Sequence, residues 1–215
     1  AIGDITAGLF TTIGVNAALF DRTKTGAGQF IDISMLDCQI AILENAIARY
    51  FAPGISPGPS AARHPSIAPF ECYESKNSHI IIAAGNDALF AKLCKELGIP
   101  ELTIDSRFIT NRARIENVAA LKKALERILK THDTNYWLQK LETAGVPCGP
   151  LNTVADVVKN PQVQSRNMVV EIDDDQTTRL KIAGNPIKLN RYSDPDTRGP
   201  APALNQHRDF IEKQS

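Results

Sequence analysis

The sequence has few of the features that mark secreted, membrane or nucleic-acid-binding proteins. Its four cysteines among 215 residues are widely spaced and form no C-x-x-C pair, a pattern typical of a reduced, intracellular protein. Lysine plus arginine balances aspartate plus glutamate at 24 each, so no net field favours nucleic acid or an anionic membrane. Neither a run of eighteen apolar residues nor a basic leader segment is present. We therefore expect a cytoplasmic protein, or a mitochondrial one in a eukaryote, with no nucleic-acid or membrane partner.

Metal and phosphate signatures are missing as well. None of the four histidines stands at metal-ligand spacing from another histidine or a cysteine, so we expect no metal. The stretch "TGAGQ" at 25–29 lacks the Gly-Lys-Ser/Thr ending of a phosphate loop and is predicted to be a turn. "DDD" at 173–175 predicts a solvated turn, and Cys148 has no basic sequence neighbour that would activate it. Arg112 and Arg114 are predicted to be surface or ion-pairing groups.

The first part of the chain predicts a helix, a strand and a second helix. Apolar spacing predicts a mostly buried helix from Asp4 to Leu19, a strand at 30–34 and a helix at 35–51. Residues 53–69 carry five of the thirteen prolines, Pro53, Pro57, Pro59, Pro65 and Pro69. This density of proline excludes regular structure and predicts a linker or an active-site loop.

The middle of the chain, about 70–147, predicts a small α+β domain. Two alternating runs around "NS" at 77–78 predict a β-hairpin, and helical patterns follow at 87–97, 114–130 and 134–144. Beyond residue 150 we expect a short helix, a strand at 168–172, a second strand at 179–184 and a short helical tail.

Asp4, which follows Gly3, is the most informative carboxylate. An aspartate in front of an apolar helix predicts an N-cap, which contributes about 1 kcal/mol. The alternative is a carboxylate held beside a residue without a side chain, so that a substrate can approach it. Such a carboxylate can act as a covalent nucleophile toward an activated acyl group. The residues alone leave both interpretations open.

The proline-rich segment brings a cation, a titratable ring and a hydroxyl together at Arg63, His64 and Ser66. Rigid surface loops of this kind often carry binding residues. A solvated loop tip has the same composition, so both interpretations stay open here too.

Several stretches, taken together, resemble the class III CoA-transferase family, also called the CaiB/BaiF family. They cover nearly the whole chain in the family's order and are "GDITAGLFTTIGVNAALFDRTKTGAGQFIDISMLD", "RHPSIAPF", "AGNDALFAKLCKELG", "FITNRARIENVAAL", "AGVPCGPLNTVADVVKNPQV" and "NPIKLN". The resemblance implies an α/β fold, the C-terminal part of the class III fold: part of a Rossmann-like large domain plus a small α+β domain. It assigns residues 1–60 and 150–215 to the large domain, and 61–149 to the linker loop and the small domain. It further implies that the contacts to the CoA nucleotide lie in an N-terminal half, and that the protein forms an interlocked homodimer.

The resemblance also implies a reaction. Asp4 matches the family's nucleophile, which passes CoA from an acyl-CoA to a carboxylic acid through an aspartyl anhydride and an aspartyl-CoA thioester. Members with similar "RHPSIAPF" and "AGNDALFAKLC" stretches transfer CoA from succinyl-CoA to a dicarboxylate such as glutarate or malate. Gly3 would lie beside the oxyanions that backbone amides stabilise. The CoA thioester is a substrate, and no bound cofactor is implied.

The sequence departs from the family at one loop. The glycine-rich loop that shields the intermediate in formyl-CoA transferases has no counterpart, and "RHPSIAP" occupies the comparable region. We therefore expect Arg63, His64 and Ser66 to recognise the acceptor carboxylate, since a guanidinium binds a carboxylate through two parallel hydrogen bonds.

Two other functions remain open at this stage. The related α-methylacyl-CoA racemases also carry a Gly-Asp motif, in which the aspartate forms an acid/base pair with a histidine. They usually have glutamate near the position of Asn86 and Asp87, which favours transfer for this chain. The third possibility is a non-catalytic fragment that only binds CoA or a partner.

Overall fold

The chain divides into two compact units, Ala1–Ala61 and Ala62–Ser215. The computed structural model describes residues 1–52, 54, 56–173 and 180–212. The helices of the first unit are α1 (Ile2–Thr25), α2 (Met35–Ile42) and α3 (Glu44–Phe51). The predicted grouping of 1–60 with 150–215 in one large domain stays a prediction.

Helix α1 contains no proline and ends at a glycine that follows its last residue. Gly26 adopts the left-handed conformation, with φ at 72°, and its N–H donates to the carbonyl of Arg22 at 2.9 Å. Glycine takes this conformation without steric cost and is the usual residue at a helix C-terminus. The "TGAGQ" stretch is thus the end of a helix, which confirms the predicted turn.

The prediction that α1 is mostly buried is wrong for this chain. Of the helix's 24 residues, all described, only Thr6 is buried, whereas Leu9 and Ile13 are 59% and 63% exposed. The reason is that burial depends on what covers a helix, and the main described contacts of α1 are with α2 and the segment before it. By length and composition α1 could also cross a membrane, a test that the core helix of a soluble protein passes equally.

The predicted strand at 30–34 is wrong, and the predicted helix at 35–51 is two helices. The part of the first unit that the structure describes contains no strand that could pair with residues 30–34. Ser34 is extended and caps α2, since its Oγ accepts the N–H of Asp37 at 3.3 Å. The helical path bends at Leu43, yet Ile47 N–H still donates to the Leu43 carbonyl at 2.9 Å.

In the second unit the predicted hairpin is confirmed and extended to three strands. Strands β1 (Phe70–Glu74) and β2 (His79–Ala83) pair antiparallel, and β3 (Cys148–Pro150) pairs antiparallel with β2. The helices that follow the hairpin are α4 (Asp87–Leu97), a 3-10 turn (Pro100–Thr103), α5 (Asn111–Glu116), α6 (Val118–Leu129) and α7 (Thr134–Thr143).

These helices and this sheet enclose the main core. Leu121, Leu125 and Leu129 recur every four residues on α6, and each is at most 1% exposed, as expected for the apolar face of an amphipathic helix. Trp137 on α7 is 3% exposed, and its indole N–H donates to the Leu129 carbonyl at 2.7 Å. The bond satisfies the polar atom of a large buried side chain.

A partly buried ion pair connects α6 to the sheet. Lys122 Nζ lies 2.8 Å from Glu71 Oε2 and donates to the Cys72 carbonyl at the same distance. Glu71 is only 6% exposed, so its charge needs this partner.

A second small sheet follows the core. Its strands lie in the order β5–β4–β6, with β4 (Val169–Ile172) antiparallel to β5 (Lys181–Ala183) and parallel to β6 (Thr197–Arg198). The predicted strands at 168–172 and 179–184 are confirmed at β4 and β5. The predicted "DDD" turn at 173–175 lies beyond the described residues except for Asp173. The remaining helices are α8 (Val154–Val157), α9 (Pro161–Ser165) and α10 (Arg208–Glu212).

Gly184 has a clear structural reason to be glycine. Its N–H donates to the Met168 carbonyl at 2.9 Å, and a Cβ added at Gly184 would lie 2.1 Å from the Asn167 carbonyl oxygen. The two backbones therefore approach more closely than any other residue type allows.

Candidate functional site

Asp4 lies in the first turn of α1 but does not cap it, which corrects the N-cap prediction. The helix starts at Ile2, so Ala1 takes the cap position without a side-chain hydrogen bond, and Asp4 is the third helical residue. A carboxylate there still faces the positive end of the helix dipole. Its side chain is exposed and forms no hydrogen bond or ion pair with the described residues. The carboxylate is therefore available to a ligand.

Gly3 allows α2 to pack closely against the start of α1. A Cβ at Gly3 would lie 3.3 Å from Gln39 Nε2, tighter than most Cβ contacts, and 3.5 Å from Met35 Cε, an ordinary van der Waals distance. Gln39 places an amide group beside Gly3, and no sequence signal singled it out because its proximity arises from helix packing. The glycine thus serves helix packing, whether or not a substrate also needs the space.

The loop 63–68 precedes β1 and fixes the His64 ring. The His64 backbone N–H donates to the Phe70 carbonyl at 2.8 Å, and the imidazole stacks on the Phe70 ring with centroids 5.1 Å apart. His64 Nδ1 accepts the backbone N–H of Ser66 at 3.2 Å. Because Nδ1 is an acceptor, a neutral ring carries its proton on Nε2.

Arg63 and Ser66 keep their side chains free of partners among the described residues. Arg63 is a partly exposed residue, and its guanidinium makes no hydrogen bond or ion pair there. Ser66 is exposed. An unpaired guanidinium on a partly exposed residue is a suitable group for binding a carboxylate.

Two side chains of α5 hold the backbone of this loop, and the sequence analysis missed both roles. Asn111 Oδ1 accepts the N–H of Ala68 at 3.1 Å, and Asn111 Nδ2 donates to the Ser66 carbonyl at 2.9 Å. Arg114 Nε donates to the Ala68 carbonyl at 2.7 Å. These bonds join residues 43–46 positions apart, so no local pattern could have shown them.

Arg114 is fully buried, which corrects its prediction as a surface group and confirms it as an ion-pairing one. Besides Ala68 it donates to the Phe108 carbonyl at 2.9 Å and to Asp87 Oδ1 at 2.7 Å, and it stacks on Phe90, 4.6 Å from the ring centroid. Its exposed neighbour Arg112 pairs with Glu116, as predicted for a surface group. Within the described chain, no buried side-chain nitrogen or oxygen lacks a partner.

The pair Asn86–Asp87 opens α4 and serves its structure. Asn86 Oδ1 accepts the N–H of Leu89 at 2.9 Å as an N-cap, and Asp87 holds Arg114. Both polar side chains therefore have defined structural partners.

Cys72, Cys94 and Cys148 are poor nucleophiles in this structure. Burial raises the pKa of the Cys94 thiol to about 12 and also raises the pKa values of Cys72 and Cys148. The thiolate is the reactive form, so these side chains are inert near neutral pH. Across the described ranges, no cluster of three histidine, cysteine, aspartate or glutamate side chains could hold a metal ion.

A groove of about 490 Å³ lies between α4 and α7 and is lined by Glu96, Tyr136, Gln139, Lys140, Thr143 and Ala144. None of these lining residues is a predicted site residue. Gly3 and Asp4 belong to the first unit, and Arg63, His64 and Ser66 belong to the second.

The fold and these residues define a mixed α/β protein with a helical unit, a small α+β core and an exposed aspartate at a helix start. The model of CoA-transferase family III matches residues 1–208, and the chain belongs to this family. It is 37% identical to an acetyl-CoA:oxalate CoA-transferase of Acetobacter aceti, an alignment that covers 100% of this chain and 54% of the relative. It is 32% identical to a human succinyl-CoA:glutarate CoA-transferase, covering 100% of this chain and 49% of the relative.

A solved structure supports the same assignment. A CaiB/BaiF family protein from Brucella suis superposes with a TM-score of 0.80 at 38% identity, covering 99% of this chain and 55% of that protein. The fold is therefore a fragment of the class III CoA-transferase fold, as the resemblance implied. The chain spans about half the length of the relatives it matches.

Proposed function

We propose that this chain supplies the nucleophile and the acceptor-binding loop of a CoA-transferase that moves CoA from succinyl-CoA to a dicarboxylate. The observation that carries the proposal is Asp4, an exposed and unpaired carboxylate in the first turn of α1, in a chain that matches the family along residues 1–208. The names of the two relatives support the acceptor class, since oxalate and glutarate are both dicarboxylates.

The reaction proceeds by covalent catalysis. An Asp4 carboxylate oxygen attacks the thioester carbonyl of the donor, the C–S bond breaks, and CoA leaves as the thiolate. The thiolate then attacks the aspartyl carbonyl of the mixed anhydride, which releases the donor acid and leaves an aspartyl-CoA thioester. The acceptor carboxylate repeats these two steps in reverse. Each step exchanges one activated acyl bond for another, so little free energy is lost to water.

Arg63 is our candidate for the acceptor carboxylate. Its unpaired guanidinium, beside His64 and the exposed Ser66, can bind a carboxylate in bidentate fashion. In a homodimer of the interlocked kind, each protomer would supply one copy of these residues.

Intact-protein mass spectrometry tests the nucleophile. The chain, and the full-length product of its gene, is incubated with succinyl-CoA and then with hydroxylamine, alongside Asp4→Ala and the matched control Asp21→Ala. Asp21 is an exposed carboxylate on the same helix. We expect an acyl- or CoA-sized adduct on Asp4 that hydroxylamine removes, that Asp4→Ala abolishes and that Asp21→Ala retains.

Other results would replace the proposal. Exchange of an α-proton of the acyl-CoA with solvent, without any adduct, would indicate a racemase. If the full-length product shows neither an adduct nor α-proton exchange, the remaining interpretation is a non-catalytic binding protein. An adduct with acetyl-CoA but not with succinyl-CoA would correct the donor.

A further inference from the structure

The backbone of loop 63–68 is held from one side by a single amide side chain. Asn111 accepts a hydrogen bond from the Ala68 N–H and donates one to the Ser66 carbonyl. These two contacts require a short side chain that carries both a hydrogen-bond donor and an acceptor. Aspartate offers only acceptors and leucine offers neither.

Arg114 supports the same loop from within the core. Its guanidinium joins the Ala68 carbonyl to the Phe108 carbonyl and to Asp87 at the start of α4. The position of Ala68 is therefore coupled to two other segments of the second unit. A lysine could not make these three contacts, because its single ammonium group lacks the planar fork of donors.

Two polar side chains of the same loop have no partner among the described residues. Between Arg63 and Ala68, the described contacts engage the backbone of Ser66 and Ala68 and the Nδ1 face of His64. The Arg63 guanidinium and the Ser66 hydroxyl remain unengaged by described residues. A loop with a fixed backbone and free polar side chains is preorganised for binding.

We propose that Asn111, supported by Arg114, is a positioning residue that sets the affinity for the acceptor acid by fixing loop 63–68. The inference rests on the proposed function, because it needs Arg63 to bind the acceptor carboxylate. Asn111 does not touch the acceptor. It reduces the conformational freedom that Arg63 and Ser66 lose when the acceptor binds.

The first test measures the anchor itself on the ¹⁵N-labelled chain. In Asn111→Ala the Ala68 amide loses its acceptor, so its hydrogen exchange should accelerate about tenfold relative to the amide of Ile82, a fully buried residue of β2, as expected for the loss of two hydrogen bonds. Thr110→Ala is the matched control. Thr110 caps the same helix through the Ala113 N–H at 3.2 Å and has no bond to the loop, so the ratio of exchange rates should not change.

The second test measures the transferase reaction of the full-length gene product with succinyl-CoA and glutarate. Asn111→Ala should raise the acceptor KM about tenfold with an unchanged donor KM. Asn111→Asp keeps the oxygen that accepts the Ala68 N–H, so it should raise the KM of the acceptor acid less than Asn111→Ala does. Thr110→Ala should match the wild type in both KM values.

Arg63→Ala separates failure of this inference from failure of the proposed function. If Arg63→Ala raises the acceptor KM but Asn111→Ala raises neither the exchange rate at Ala68 nor the acceptor KM, the positioning role is overturned and the acceptor loop stands. If Thr110→Ala produces the same effects as Asn111→Ala, Asn111 acts only as a general stabiliser, and the positioning role is overturned as well. If Arg63→Ala leaves the acceptor KM unchanged, the acceptor loop and its positioning residue fail together, while the Asp4 adduct still decides the chemistry.

Discussion

The single side chain of Arg114 links several segments of the second unit's core. Three of its donors reach three separate segments, at Ala68, Phe108 and Asp87, and its plane lies on Phe90. The side chain is fully buried although it is charged. Such a group is tolerated because each of these contacts replaces hydration that burial removes.

Cys94 makes the stability of the second unit sensitive to alkaline pH. Burial raises its pKa from 9.0 to about 12, so above pH 9 the unfolded thiol ionises while the folded one keeps its proton. The unfolded state then binds fewer protons, and the free energy of unfolding falls as pH rises, by at most about 1.4 kcal/mol per pH unit for this group. Urea titrations followed by far-UV circular dichroism at pH 8, 9 and 10 should show this fall.

The control for Cys94 is a variant that disturbs the same core without removing a titrating group. Cys94→Ala should have a shallower decline than the wild type between pH 9 and 10, because Tyr73, whose pKa burial also raises, contributes equally in both proteins. Leu93→Ala removes a neighbouring buried side chain and should lower stability at every pH without changing the slope. Identical slopes in Cys94→Ala and the wild type would contradict the assignment.

At the scale of elements, the second sheet depends on one close backbone approach. In Gly184→Ala the new Cβ would overlap the Asn167 carbonyl oxygen, so the end of β5 must separate from the segment that precedes β4. We expect a loss of about 2 kcal/mol and faster amide exchange at Val170. Gly199→Ala is the control because a Cβ there meets nothing within 4 Å, and equal effects of the two substitutions would contradict this explanation.

Elements whose partners lie nearby in sequence could be predicted, and elements that need a distant partner could not. The hairpin β1–β2 follows from two alternating runs around a turn, and the leucine period of α6 follows from its own spacing. The segment 30–34 alternates in the same way yet finds no described strand to pair with. A local sequence pattern indicates which secondary structure a segment can form, whereas strand pairing and burial depend on the rest of the fold.

The same distinction applies to the candidate site. Asp4 could be found because the motif is local, but its place within α1 could not, since the helix start depends on the residues before it. Arg63, His64 and Ser66 are adjacent in sequence and stay together in one loop. Asn111 and Arg114 reach that loop across more than 40 residues, so only the tertiary structure relates them.

At the scale of the molecule, the first unit presents an unusually apolar surface. Ile5, Leu9, Ile13 and Phe20 of α1 are each more than half exposed, and contiguous patches of this kind mark association surfaces. We expect the 215-residue chain to self-associate, with a mass above 23.5 kDa in size-exclusion chromatography with light scattering. Ile13→Lys should shift the distribution toward monomer.

The control for this surface lies in the second unit. Ile104 is 80% exposed, so Ile104→Lys makes a similar change in charge and exposed apolar area within the second unit. It should leave the mass distribution unchanged. A shift of the same size in both variants would show that charge, rather than the α1 surface, controls association.

Trp137 makes indole fluorescence a probe of the second unit alone. It is the only tryptophan of the chain, and it is buried in the core of the second unit with the His132 ring edge-on at 5.4 Å. Its emission therefore reports on the second unit, while the helices of the first unit contribute to the ellipticity without any indole chromophore of their own. Melting curves recorded in the two channels will coincide only if the units unfold together, so the native sequence already contains the probe that measures their cooperativity.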